Sequence, residues 1–291
     1  MGSDEATGQA KISRVLVVGA GAMGSGIAQV IAESGIDVTL TDADAPSLER
    51  GLAGIASRWE KAVSTGKRDA ETVAGFKSHL QTGDLSAAGD VDLIIEAIVE
   101  RLPAKSALFT ELGQIAPERT ILATNTSSIS VTALATASGR PSRFVGLHFF
   151  NPVPVLPLVE IVRGLQTSQE TVDEAEQFVT RLGKTPVIVQ DSPGFVANRI
   201  LLPMINEAIY TLQDGVADAA GIDAVMKLGA AHPMGPLALA DLIGLDVCLD
   251  ILETLHRDFG DDKYRPAPLL RRMVAAGRLG RKSGQGFHVY A

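Results

Sequence analysis

The chain reads as an α/β protein with a doubly wound, mostly parallel sheet at its N-terminus, a helical hairpin inserted in it, and an all-α C-terminal domain. Three observations predict this. The apolar strand Val15-Leu16-Val17-Val18 runs into a glycine turn and at once into a helix-like stretch, Ser25–Ser34. Strand-length apolar runs then alternate with helix-length segments, the pattern of parallel βαβ units. Past the turn formers Asp191-Ser192-Pro193-Gly194 the strand pattern stops and helical patterns take over.

The elements follow in order. Strands are expected at Arg14–Val18, Val38–Thr41, Leu93–Ala97, Thr120–Ala123 and Phe144–Leu147. Helices Ser47–Val63 and Pro103–Ile115 carry charge at surface spacing. The stretch Arg50–His79 is long and polar on one side, and reads as a helical hairpin between the second and third of these strands. A strand–helix–strand passage follows, Pro157–Arg163, Ser168–Leu182 and Pro186–Val189. Beyond it Val196–Gln213, Asp223–Leu228, Pro236–Phe259 and Pro268–Ala275 read as helices. The domains are therefore drawn as 1–191, with 1–11 a flexible tail, and 192–291. The long apolar helices of the second domain hold more hydrophobic surface than a unit of that size buries alone, which suggests a subunit interface.

At 291 residues the chain has room for two cores. Its formal net charge is −8, with no basic block, so nucleic acid is not an expected partner. No apolar run is long enough for a membrane span, and the polar start Met1–Lys11 has no signal-peptide core. The single cysteine, Cys248, excludes an internal disulfide and a cysteine-rich metal site. A cytoplasmic protein fits these features. No metal is expected, because the histidines and carboxylates show no ligand spacing.

The glycine turn predicts a cofactor. In Gly19-Ala20-Gly21-Ala22-Met23-Gly24, Gly19 permits the tight strand-to-helix turn and Gly24 close packing of the helix. Gly21 leaves no side chain where a pyrophosphate meets backbone, and Met23 belongs to the same binding turn. The next strand ends in Asp42, where a Rossmann-type unit places a carboxylate on the adenosine ribose. A carboxylate there would repel a 2′-phosphate, so NAD is expected, with NADP possible.

His148 and Glu160 are the candidates for acid–base chemistry. His148 follows the strand Phe144–Leu147, at the carboxyl edge of the sheet where such folds bind ligands. Glu160 stands in the apolar strand Leu158-Val159-Glu160-Ile161-Val162 and needs a partner to be buried there. Paired, the carboxylate would fix the imidazole tautomer and raise its basicity, so that His148 could take an alcohol proton as hydride leaves. At the same edge Asn125-Thr126-Ser127-Ser128 would either hydrogen-bond a substrate oxygen or cap the next helix. Asn198, in the first helix of the second domain, would either reach the substrate or be a surface amide.

With these residues assembled, the chain resembles the L-3-hydroxyacyl-CoA dehydrogenase family, nearest its short-chain bacterial members. The likeness runs from about Arg14 to Tyr290. It is carried by His148-Phe149-Phe150-Asn151-Pro152, Asn125-Thr126-Ser127-Ser128, Pro193-Gly194-Phe195-Val196-Ala197-Asn198-Arg199, His232-Pro233-Met234-Gly235-Pro236 and Gly280-Arg281-Lys282-Ser283-Gly284. The resemblance implies reversible NAD-dependent oxidation of a (3S)-3-hydroxyacyl-CoA thioester, with four carbons in the acyl chain. It implies His148 as acid/base, Glu160 as its partner, and Ser127 and Asn198 on the reacting oxygen or thioester carbonyl. Asn151 would order the site, Glu100 and Lys105 would lie near the cofactor, and Arg50 would meet CoA phosphate. It also implies a homodimer through the C-terminal domain, the substrate lying between the domains. Pro157, Thr124 and His288 depart from the family's usual lysine, serine and tyrosine. Two other readings are a dehydrogenase of free hydroxy or sugar acids and a non-catalytic NAD-binding protein.

Overall fold

The structure, a computed structural model, describes residues 12–290. The tail expected over 1–11 lies outside the described residues. The chain divides into two compact units, Met1–Asp191 and Ser192–Ala291.

In the first unit eight strands form one sheet: β1 (Arg14–Val18), β2 (Asp37–Thr41), β3 (Leu80–Thr82), β4 (Leu93–Glu96), β5 (Ile121–Thr124), β6 (Phe144–Phe149), β7 (Leu158–Arg163) and β8 (Thr185–Gln190). Their order across the sheet is β3-β2-β1-β4-β5-β6-β7-β8. The chain moves outward from β1 in one direction, then resumes at β4 in the other. That reversal makes the carboxyl ends of β1 and β4 a topological switch point. β1, β4 and β5 are buried along almost their whole length, which is why they read as continuous apolar runs rather than alternating ones.

Six helices accompany the sheet: α1 (Ala22–Glu33), α2 (Ala45–Ser64), α3 (Ala70–Ser78), α4 (Leu102–Ile115), α5 (Val131–Ala137) and α6 (Gln169–Arg181). α2 and α3 are the inserted hairpin, each started by an aspartate cap, Asp44 and Asp69. Its anchor is Trp59, which is buried, lies 6.1 Å from the Phe76 ring, and donates from Nε1 to Glu33 Oε1 at 2.7 Å. Phe109 of α4 meets Phe144 of β6 edge-to-face at 4.6 Å on the sheet.

Three features of this unit differ from the sequence reading. β3 was not expected, because a three-residue edge strand, Leu80-Gln81-Thr82, carries no apolar period. β6 runs on through His148 to Phe149, so His148 lies within the strand and not after it. β6 and β7 pair antiparallel, whereas the other neighbouring strands pair parallel. The segment 150–157 between them is too short for the crossover that a parallel neighbour requires.

The second unit is helical: α7 (Ala197–Gln213), α8 (Ala219–Gly229), α9 (Pro236–Ile243), α10 (Leu245–Phe259) and α11 (Pro268–Ala275). Leu202, Ile205, Ile209, Leu237, Leu252, Leu255 and Leu270 form its core. The single helix expected over Pro236–Phe259 is two. Gly244 adopts φ +106°, outside helical space, and separates them. Asp218 caps α8, which therefore starts earlier than the apolar residues of Asp223–Leu228 suggested. Buried Asp241 clasps the C-terminal segment, accepting from the backbone N–H of Phe287 and His288 and from the Tyr290 hydroxyl, each at 2.9 Å.

Cys248 is fully buried on α10, and burial pushes its thiol up to about 12. A thiol that buried and that rarely ionised is inert. The native protein is therefore expected to show no reaction with a thiol reagent at neutral pH, and one equivalent on denaturation. Labelling of native protein at the rate of an exposed cysteine would contradict this packing.

Candidate active site

The site is built on the carboxyl edge of the sheet. β1 runs into Gly19, whose φ of +107° lets the chain turn straight into α1. A Cβ on Gly19 would lie 2.5 Å from the Ala97 carbonyl oxygen, and one on Gly24 would lie 1.7 Å from the carbonyl oxygen of Gly19. Both glycines are thus demanded by the fold. Gly21 differs: a Cβ there meets nothing within 4 Å. What the fold leaves open is the space in front of the α1 N-terminus. No side chain caps that end, and no acid stands in its first turn. The first-turn N–H groups, that of Met23 among them, face outward without intrahelical acceptors. A helix end of this kind can receive a pyrophosphate, and the residues present fit NAD.

Asp42 stands beside the glycine turn, just after β2. Its Oδ2 accepts from the Ala20 N–H at 2.7 Å and its Oδ1 from the Asp44 N–H at 2.9 Å. Each oxygen keeps a lone pair for a ribose hydroxyl. The helix cap of α2 is Asp44, so Asp42 is not spent on capping. Arg50 lies on the exposed face of α2, donating to Ser47 Oγ at 2.7 Å and to Asp44 at 3.5 Å.

Two strands beyond β4, His148 and Glu160 face each other in register across β6 and β7. Directly opposed residues of an antiparallel pair project to the same face, which is why strand reversal brings them together. His148 Nδ1 and Glu160 Oε2 are 2.7 Å apart, and both residues are buried. The imidazole also packs against Phe150, ring centroids 4.5 Å apart. The Phe149 N–H, next along β6, donates to Asn125 Oδ1 at 2.9 Å, tying the strand end to the loop after β5. Asn151 follows in the exposed segment before β7. Lys184 Nζ holds that segment, donating to the carbonyls of Val153 at 2.6 Å and Leu156 at 2.8 Å.

Ser127 sits in the loop after β5. Glu100 Oε1 gathers this loop, accepting from the N–H groups of Ser127 at 2.8 Å and Ser128 at 3.1 Å and from Thr126 Oγ1 at 2.5 Å. Lys105 Nζ lies 3.1 Å from Glu100 Oε2 and 2.5 Å from Glu96 Oε1, with its side chain only 1% exposed. Burial works to raise the Glu100 pKa, but Lys105 and the Thr126 and Ser127 donors outweigh it and hold the carboxyl below its usual value. The helix after this loop is capped by Ser130, so Ser127 and its neighbours are not used as its cap. Asn198 lies buried in the first turn of α7, in the second unit. The Asn125 side-chain oxygen, expected to face substrate or cap a helix, instead accepts from the Phe149 N–H, and Glu96 is a buried polar residue that the sequence reading did not single out. Glu96 carries the signal that pointed to Glu160, a carboxylate in a buried apolar strand. Among the described residues no cluster of histidine, cysteine and carboxylate side chains could hold a metal ion, and no helix is long and apolar enough to cross a membrane.

A glycine turn at a topological switch point, with a carboxylate at the end of the neighbouring strand, is the arrangement of a nicotinamide dinucleotide-dependent oxidoreductase. The chain belongs to the 3-hydroxyacyl-CoA dehydrogenase family: the family's NAD binding domain matches residues 14–192 and its C-terminal domain residues 194–290. The 3-hydroxybutyryl-CoA dehydrogenase of Bradyrhizobium diazoefficiens is 49% identical over 282 residues, covering 97% of this chain and 96% of that one. A Deinococcus radiodurans protein named "Probable 3-hydroxybutyryl-CoA dehydrogenase" is 57% identical over 276 residues, 94% of this chain and 99% of that one. Among solved structures, the (S)-3-hydroxybutyryl-CoA dehydrogenase PaaH1 of Ralstonia eutropha superposes with a TM-score of 0.93 at 46% identity, covering 97% of this chain and all of that one.

Proposed function

We propose that the protein catalyses the reversible NAD(H)-dependent oxidation of (3S)-3-hydroxybutyryl-CoA to its 3-oxo thioester. The observation that carries this reading is the buried His148–Glu160 pair, 2.7 Å apart at the ligand-binding edge of the sheet. Bound NAD supplies the hydride acceptor. With Nδ1–H donated to Glu160, His148 presents Nε2 to the substrate and takes the C3 hydroxyl proton. In reverse it protonates the developing alkoxide. Ser127 and Asn198 stabilise charge on that oxygen or hold the thioester carbonyl. Asn151 helps order the site, Glu100 and Lys105 serve the cofactor end, and Arg50 meets a CoA phosphate. Exposed Ile200, Val216, Val225 and Leu228 on the helical unit support a homodimer built there. A cytoplasmic location agrees with the absence of any helix among the described residues fit to span a membrane.

The substrate reading is tested by supplying NAD+ with the separate enantiomers of 3-hydroxybutyryl-CoA. NADH should form with the (S) enantiomer alone. Turnover of (R) at a comparable rate would overturn the reading. For the cofactor, Asp42→Ala is expected to raise the Kd for NADH about tenfold and to narrow the preference over NADPH, because the hydrogen bonds to ribose and the repulsion of a 2′-phosphate go together. Titration of both nucleotides checks it.

A further inference from the structure

Glu96 is 0% exposed at the end of β4. A carboxylate in that position is expensive to bury, and burial raises its pKa against the pull of Lys105, Thr124 and the Ile98 N–H. The fold nevertheless commits both of its oxygens. Oε1 accepts from Lys105 Nζ at 2.5 Å and from the Ile98 N–H at 2.7 Å, and Oε2 accepts from Thr124 Oγ1 at 2.7 Å. Two routes lead from Glu96 to the Ser127 loop. One runs through Lys105 to Glu100, whose Oε1 takes the Ser127 and Ser128 amides. The other runs through the Thr124 hydroxyl, which accepts from the Thr126 N–H at 3.2 Å.

Lys105 between two carboxylates gives Glu100 a fixed cation, and Glu96 fixes that cation in turn. Removing Glu96 would leave Lys105 a single carboxylate partner and freedom to follow it toward solvent, since over a third of the Glu100 side chain is exposed. We infer that Glu96, with Thr124, is a positioning residue: through Lys105 and the Thr126 amide it sets the loop that presents Ser127 to the reacting oxygen. The assignment rests on the role proposed above for Ser127.

The test compares Glu96→Gln, Thr124→Val and Thr124→Ser with the full-length wild type by two readouts. The first is hydrogen exchange at the Ser127 and Ser128 amides. The second is kcat and KM for NADH-dependent reduction of acetoacetyl-CoA. Glu96→Gln and Thr124→Val are expected to speed exchange at those two amides about tenfold, with the β1 and β4 amides unchanged, and to lower kcat about tenfold with little change in KM. Thr124→Ser, which keeps the hydroxyl, should behave as wild type on both. If Glu96→Gln does not fold, the valine and serine variants decide the matter. Exchange raised throughout the first unit, or unchanged at 127–128, would overturn the assignment. Failure of the wild type to reduce the thioester would instead sink the proposed function, while the exchange result still reports on Glu96.

Discussion

Replacing His148 by glutamine is expected to lower kcat for thioester reduction about 10³-fold, roughly 4 kcal/mol of transition-state stabilisation, with the Kd for NADH unchanged. Glutamine keeps the approximate volume of the imidazole and can still hydrogen-bond Glu160, so the fold should hold. What it cannot do is give or take a proton near neutral pH. Glu160→Gln should cost less, about 10²-fold, because the imidazole would remain while its tautomer and orientation were no longer fixed by a carboxylate at 2.7 Å. Steady-state kinetics beside NADH titration separate the two effects. A His148→Gln enzyme retaining more than about a tenth of wild-type kcat would show that another group moves the proton.

The second large effect concerns the glycine turn, where neighbouring substitutions should fail for different reasons. Gly24→Ala places a methyl 1.7 Å from the Gly19 carbonyl oxygen, and backbone on both sides must shift to admit it. Loss of soluble folded protein, or a large fall in Tm, is the expected result. Gly21→Ala meets nothing within 4 Å, and Gly21 sits at φ −64°, which alanine adopts freely. Its Tm should stay within a few degrees of wild type, while the Kd for NADH rises about tenfold or more because the methyl fills the phosphate cradle. Thermal melts with and without NADH distinguish the two. Equal NADH affinity in Gly21→Ala and wild type would remove the cradle from the account.

These expectations trace back unevenly to the sequence. The glycine turn and Asp42 were legible because dinucleotide binding constrains neighbouring residues in one βα unit, and such local patterns survive in linear order. His148 and Glu160 were legible as a pair, polar residues set in or beside apolar strands whose burial requires a partner. The antiparallel register that opposes them was not, because it depends on β7 running against β6, and strand direction has no local signature beyond a short connection. The same limit hid Glu96 and the partners that Thr124 and Asn125 find across the strands. Each looks like an ordinary strand-end residue until β4, β5 and β6 lie side by side. In the helical unit the break at Gly244 was masked by apolar residues on both sides, which continue one helical pattern across it. Glycine's positive φ there separates α9 from α10, and nothing in its immediate sequence neighbours marks it.

The most direct test of the account is kcat/KM for NADH oxidation with acetoacetyl-CoA set beside free acetoacetate. If the site is built for a CoA thioester, remote binding energy from CoA should favour the thioester by about 10³-fold or more. Comparable turnover of the two, or turnover of the free acid alone, would contradict the proposed function and leave a dehydrogenase of free hydroxy acids on the same scaffold.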